Sequence, residues 1–327
     1  MRSRTGPTFL ALCLLLVPAA ARAQTFDVQR ISREIAQLPD VVVNRLADII
    51  RKAEGKGIEL VRTRYELVPE VELSDPAAGL EGAQVGSDAF SSRVIIPIPL
   101  ERRLAVVGAL SYETLTFRHE GFEGTFPADR VHEVRSRGAL LYELSERWRF
   151  MGGVELGMLT DSAGIEYDAA HLSLDDFQAG VLVMFDHQIS PRASVGLGAG
   201  YSTTFGLPLP LPAARGSLEV GDFRFAATLP SSISAGWAPH RRVEVGVRAS
   251  LSGGQYHLRR TDQSLSTTTV YLGPYAVVET VRGLHVDFDT GLMPWRRLRL
   301  DDDAGDEVSN LDPAPTWFLR MELSFRL

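Results

Sequence analysis

The chain has 327 residues, 34 Lys+Arg against 41 Asp+Glu, a formal net charge of −7 and a single cysteine. The acidic balance argues against a nucleic-acid partner, which would need a basic face. The cysteine, Cys13, falls in an apolar leader, so the chain beyond it can form no disulfide and holds no thiolate nucleophile or zinc–thiolate site.

Arg2 and Arg4 precede the apolar run Phe9–Pro18, and small residues follow up to the A-x-A site Ala21–Ala23. That order predicts a cleaved secretory signal peptide over 1–23. Its apolar core is shorter than the roughly 20 residues needed to span a bilayer as a helix. From 24 to 56 the pattern turns helical: Ile31, Ile35 and Leu38, then Val42, Leu46, Ile49 and Ile50, with Pro39-Asp40 as a break and Gly55 as a stop. Two short amphipathic helices are predicted, acting as a plug or a periplasmic arm.

From 57 to 327 apolar and polar residues alternate in segments of about 15 residues, longer than ordinary globular strands and long enough to cross a bilayer at a tilt. "VEVGVRASL" sets Val243, Val245, Val247, Ala249 and Leu251 on one face, with Glu244 and Arg248 opposite. "RGALLYELSERWRFMGGVELGM" reads as a hairpin whose inner face carries Arg137, Glu143, Arg149 and Glu155. In "DFQAGVLVMFDHQISPRASVGLGAGY" the apolar face runs from Phe177 to Phe185 and from Val195 to Tyr201, while Gly196, Gly198 and Gly200 take the other face, where close packing favours them. The final stretch "TWFLRMELSFRL" alternates to its end, as a strand that closes a cylinder would.

Short turns near Glu101-Arg102, Ser145–Arg147, His187–Pro191, Pro239–Arg241 and Arg282-Gly283 interleave with long polar loops near His119–Arg130, Asp161–Leu174, Arg259–Ser266 and Leu300–Pro313. No segment after the leader resembles a membrane helix. The predicted fold is therefore all-β: a transmembrane antiparallel up-and-down barrel of 12 to 14 strands with a short N-terminal α-helical segment, its short turns periplasmic. Residues 206–238 decide the count, since two short hairpins there give 14 strands and one long loop gives 12. Trp148, Trp237, Trp295 and Trp317 sit near strand ends, as two interfacial girdles require.

The stretches "DRVHEV", "LSERWRFMGGVELGM", "DDFQAGVLVMF", "GLGAGYSTTFGLPLPLP", "LPSSISAGWAP" and "RASLSGGQYHLRR", in this order, resemble a bacterial family of predicted outer-membrane β-barrels classed as a domain of unknown function. The resemblance covers about 58–327. It implies a Gram-negative outer-membrane location but no activity. The chain departs from the usual barrel ending in closing on Leu327, with the aromatic Phe325 two positions earlier. Expected partners are outer-membrane lipids and lipopolysaccharide, the barrel-assembly machinery and small solutes.

Catalytic constellations are weak. His171 and Ser173 have the His-x-Ser spacing of a lipid A deacylase, with Asp175 and Asp176 near enough in sequence to orient the histidine, but a three-residue match often arises by chance and a polar loop entering a strand is the simpler reading. Asp301–Asp303, Asp306 and Glu307 supply oxygen ligands without a binding-loop spacing and read as a solvated loop. There is no phosphate-binding Gly-rich loop, HExxH or pair of metal histidines, so no cofactor is expected. What is left is the inward charge: Arg137, Glu143, Arg149, Glu155, Glu244, Arg248, Asp287 and Asp289, with His285 beside the last two. In a wide barrel these residues line a lumen, and the expected function is a passive channel or transporter for small solutes. The alternatives are a structural or interaction barrel with a sealed, salt-bridged interior, and an outer-membrane lipid hydrolase.

Overall fold

A computed structural model describes residues 59–74, 80–101, 103–122, 128–161, 176–202, 209–259, 261–302 and 305–326. The predicted signal peptide, the two predicted N-terminal helices and the His171/Ser173 pair lie outside the described residues. Within them the chain forms fifteen strands: β1 (Glu59–Glu72), β2 (Gln84–Glu101), β3 (Leu104–Glu120), β4 (Arg130–Glu143), β5 (Trp148–Asp161), β6 (Phe177–Ser190), β7 (Ala193–Ser202), β8 (Leu209–Val220), β9 (Phe223–Leu229), β10 (Ser232–His240), β11 (Val243–Leu258), β12 (Gln263–Val281), β13 (Leu284–Asp301), β14 (Glu307–Leu311) and β15 (Thr316–Arg326).

Each strand from β1 to β13 pairs antiparallel with its neighbour in sequence, β13 pairs with β15, and β15 returns to β1. Fourteen strands thus close a cylinder, and short β14 adds only to the end of β13. Residues 206–238 settle the count at the upper predicted value, because β8, β9 and β10 form two tight hairpins. The last strand closes the ring, with Arg326 in register with Glu59.

Alternation decides the faces. Tyr65, Phe90, Leu156, Phe185, Leu197, Val247 and Leu319 are among many large apolar side chains left exposed on the outer wall. All four tryptophans join them, at 46–48% exposure. The six connections at the β1/β15 terminal end are short, with Gly221 and Gly283 at positive φ in two of them. The opposite end differs from expectation in two places. Residues 259–262 alone connect β11 to β12, because the hydroxyl-rich run after Gln263 pairs along the ladder and buries Leu265, so half of the predicted Arg259–Ser266 loop is strand. The predicted Leu300–Pro313 loop contains β14.

At this end the ring narrows. The β5–β6 ladder begins at Met158 and the β10–β11 ladder at Ser250, which frees the upper edges of β5 and β11. Those edges meet directly, Thr160 registering with His257. Gln178 Nε2 donates to the Gln255 carbonyl at 2.6 Å, and Arg259 forks onto buried Asp176 at 2.5 Å, fastening the junction. Above the junction the interior is packed solid by Val85, Phe117, Val131, Leu159, Tyr256, Leu258, Leu265, Leu298 and neighbours, drawn from β1–β5, β11–β14 and the segments beside them. Below it, β6–β10 bulge away. At Gly198 this curvature brings the backbones so close that a Cβ would run into the Val183 carbonyl oxygen.

Candidate channel interior

Below the apolar cluster the inner wall has two unlike flanks. One, formed by β1–β5, β11–β13 and β15, carries the charges. In its middle Glu66, 6% exposed, accepts from Arg320 at 2.6 Å and from the Tyr271 hydroxyl at 2.7 Å, while the Arg320 guanidinium lies 4.5 Å from the Tyr271 ring centre. These three groups desolvate one another's neighbours yet leave no formal charge alone, the condition under which a buried ion pair is tolerated. Arg64 reaches Glu113 at 3.1 Å, and Arg62 lies between Glu59 and Glu322.

All eight charged residues singled out in the sequence fall on the inner face, and the register shows whom they meet. Arg137 pairs with Glu155, directly opposite on β5, and Arg135 holds the other Glu155 oxygen at 2.5 Å. Arg149 donates to Gln188 on β6 at 3.1 Å, although Glu143 stands opposite it on β4. Glu244 accepts from Arg224 at 2.8 Å and from the Tyr275 hydroxyl at 2.7 Å. Arg248 donates to Asp289 at 2.7 Å, lies 3.6 Å from Asp287 and covers the Tyr275 ring at 4.3 Å. Most of the predicted lumen charges therefore neutralise one another within the wall.

Sequence reasoning left Arg64, Glu66, Glu113, Arg135, Arg296 and Arg320 out of the candidate set. Parity would have found five of them, which occupy the polar register of their strands; Arg296 is out of step with Asp287 and Asp289 and turns inward only because β13 shifts register between Leu292 and Trp295. Asp176 lies within the described residues, and its carboxylate is engaged by Arg259. The acidic run is not uniformly solvated, since Asp301 is buried at the end of β13 against Arg299 at 2.6 Å. Among the described residues no group of three or more His, Cys, Asp or Glu side chains could hold a metal ion.

The other flank, β5–β10, presents small and apolar groups inward: Met151, Gly153, Gly180, Leu182, Met184, Gly200, Leu211 and Ala213. Together with the outward-exposed Val154, Val181, Tyr201 and Leu229 they line a cavity of ≈440 Å³ that reaches the β9–β10 turn at Leu229–Ser231 and takes in Arg137 and Glu155. A second, polar cavity of ≈200 Å³ lies in the charged flank, and Arg137 belongs to the walls of both. The Arg137–Glu155 pair is thus a partition between a greasy compartment and a charged one.

The chain belongs to the family described as Domain of unknown function (DUF6268), whose profile matches residues 102–325. No curated protein matches it. Among solved structures it is similar to an outer membrane channel from Pseudomonas putida F1, at 10% identity over 83% of this chain and 96% of that one, with a TM-score of 0.44. It is also similar to the Pseudomonas putida toluene transporter TodX, at 10% identity over 83% of this chain and 90% of that one, with a TM-score of 0.41.

Proposed function

With membership of this family as the premise, we propose that the protein is an outer-membrane barrel, exported through a cleaved signal peptide, that passes small and largely apolar solutes along its β5–β10 flank. The observation that carries the reading is the ≈440 Å³ cavity, whose wall is mostly apolar and which approaches the barrel rim where β9 and β10 are shortest. The belt of exposed Leu, Val, Phe and Trp side chains supports immersion in lipid, since apolar residues on an outer wall gain nothing from water. The charged flank offers no comparable route, being cross-linked by ion pairs and roofed by the apolar cluster. Passage of this kind needs no catalytic residue.

Liposome uptake tests the reading. Proteoliposomes should take up a small neutral aromatic or aliphatic solute faster than protein-free vesicles, and Thr228→Trp, which fills the cavity at the top of β9, should slow that uptake several-fold while the barrel still shifts on a gel when heated. Equal rates with and without protein would remove the channel. The second reading, a sealed structural barrel, is favoured by the paired charges, and it requires that neither solute flux nor conductance be found.

A further inference from the structure

The ≈200 Å³ cavity in the charged flank holds five arginines, Arg64, Arg93, Arg135, Arg137 and Arg296, against three glutamates, Glu66, Glu113 and Glu133. Arg64, Arg135 and Arg137 are each bound to a carboxylate. Arg296 and Arg93 are not. Arg296 is 5% exposed and donates one Nη to Ser87 Oγ at 3.0 Å, while its other Nη is buried with no hydrogen-bond partner. No carboxylate lies within ion-pairing distance of it among the described residues. Arg93 likewise has no carboxylate partner among the described residues, and its Nε is buried and unpartnered.

A guanidinium cannot relieve burial by losing its proton, and a buried cation without a counter-charge is strongly disfavoured. Two such groups lining one cavity leave a deficit of negative charge beside unpartnered donors. The hydroxyls of Thr267 and Thr269, both buried, line the same space. We propose that this cavity binds a small oxyanion, a short carboxylate or inorganic phosphate, held by the free Nη of Arg296, with Arg93 supplying the second charge. The planar donor fork of arginine suits oxygen anions over halides. A space of ≈200 Å³ admits an anion the size of acetate or phosphate. The apolar cluster closes the long-loop end, so the anion comes past the Arg137–Glu155 partition or from the short-turn side. The site depends on the interior alone and stands whether or not the barrel conducts.

The test uses the full chain folded in detergent micelles and reads the heat-unfolding midpoint against added sodium phosphate, sodium acetate and sodium chloride at equal ionic strength. Phosphate or acetate should raise the wild-type midpoint in a saturable way that chloride does not reproduce. Arg296→Gln, which removes an uncompensated buried charge, should fold at least as well as wild type without anion and lose the response; Arg93→Gln should weaken it. A response to only one of the two anions identifies the chemistry. No saturable response in wild type, or an undiminished response in Arg296→Gln, overturns the proposal. If Arg296→Gln does not fold, an undiminished response in Arg93→Gln overturns it equally.

Discussion

The two flanks of this barrel obey one alternation rule and solve opposite problems. On the charged flank strands are long, up to 19 residues in β12, and most inward charges are matched across the wall. On the other flank β9 has 7 residues and β10 has 9, and the inward positions toward the β9–β10 turn are small or apolar, while Arg149 and Arg224 keep the polar register nearer the short turns. At ~3.3 Å per residue and a tilt near ~45°, β9 gains only about 16 Å of height, less than the ~25 Å apolar band of an outer-membrane barrel. The tall flank spends its interior on self-neutralisation and the low flank leaves space. A wall can therefore be structural on one side and permissive on the other without any change of fold.

Substitutions that unmatch the charged flank should have the largest effect. Glu66→Gln leaves Arg320 buried with its main counter-charge removed, and only Asp289, 3.5 Å away, can take its place. A loss of about 3–5 kcal/mol is expected, the scale for breaking a buried pair, read by urea unfolding in lipid vesicles. Glu244→Arg belongs to the same class: on alternation alone it looks like a mild lumen change, but it sets a second guanidinium beside Arg224 and removes the acceptor of the Tyr275 hydroxyl. It should cost at least as much as Val245→Arg next to it, which puts a charge on the outer wall and is expected to cost roughly 2–4 kcal/mol. If Glu244→Arg proves nearly neutral, the interior there is wet and the contrast between flanks fails.

On the low flank the same kind of insult should matter less. Met184 is 3% exposed but borders the larger cavity, so Met184→Ala enlarges a space that already exists instead of opening one in a packed core. Its cost should fall at or below the bottom of the usual Met→Ala range, about 2 kcal/mol, while uptake of the apolar solute stays level or rises. A cost near 5 kcal/mol would mean that this flank is as tightly packed as the other.

Much of this was legible in the sequence, and the failures have a common cause. A period of two fixes which side chains share a face, so the inward set from Arg137 to Asp289 and three of the four outward tryptophans follow from spacing alone; Trp295 shares the parity of Asp287 and Asp289 and faces outward because β13 shifts register just before it. Partners across the barrel do not. Glu66 meets Arg320, which is 254 residues away, and no local pattern announces it. Arg149 faces Glu143 in register yet bonds Gln188, because side-chain reach along a tilted wall selects among neighbours that sequence ranks equally. The β5–β11 junction was hidden for a related reason: it exists only because β6 and β10 start late. Ser264 to Ser266 looked like loop because hydroxyls are polar, although they continue the β11–β12 ladder into the β-branched run Thr267–Thr269, which suits a strand.

The smallest expected effect is also the one that tests the partition between flanks. Arg137→Glu with Arg149→Glu reverses two inward charges, the first of them in the wall of the larger cavity. Arg137 keeps 35% of its side-chain exposure and its partner Glu155 22%, so this pair is wetter than Glu66–Arg320, at 8% and 11%. Arg135, bound to the other Glu155 oxygen, still holds that carboxylate after the change. The double variant should therefore fold, and its heat shift on a gel should match wild type. Its electrical signature is set by distance: a charge at about 8 Å in a water-like medium is worth ~0.5 kcal/mol to a passing ion, and reversing it doubles that. Any conductance should become more cation-preferring by a factor on the order of five at low salt, and the change should shrink as salt rises. An unaltered reversal potential in a conducting barrel would place the ion path away from the Arg137–Glu155 partition. Loss of folding would show instead that the partition is as tightly matched as the Glu66 site, and that the two flanks do not differ in the way their cavities indicate.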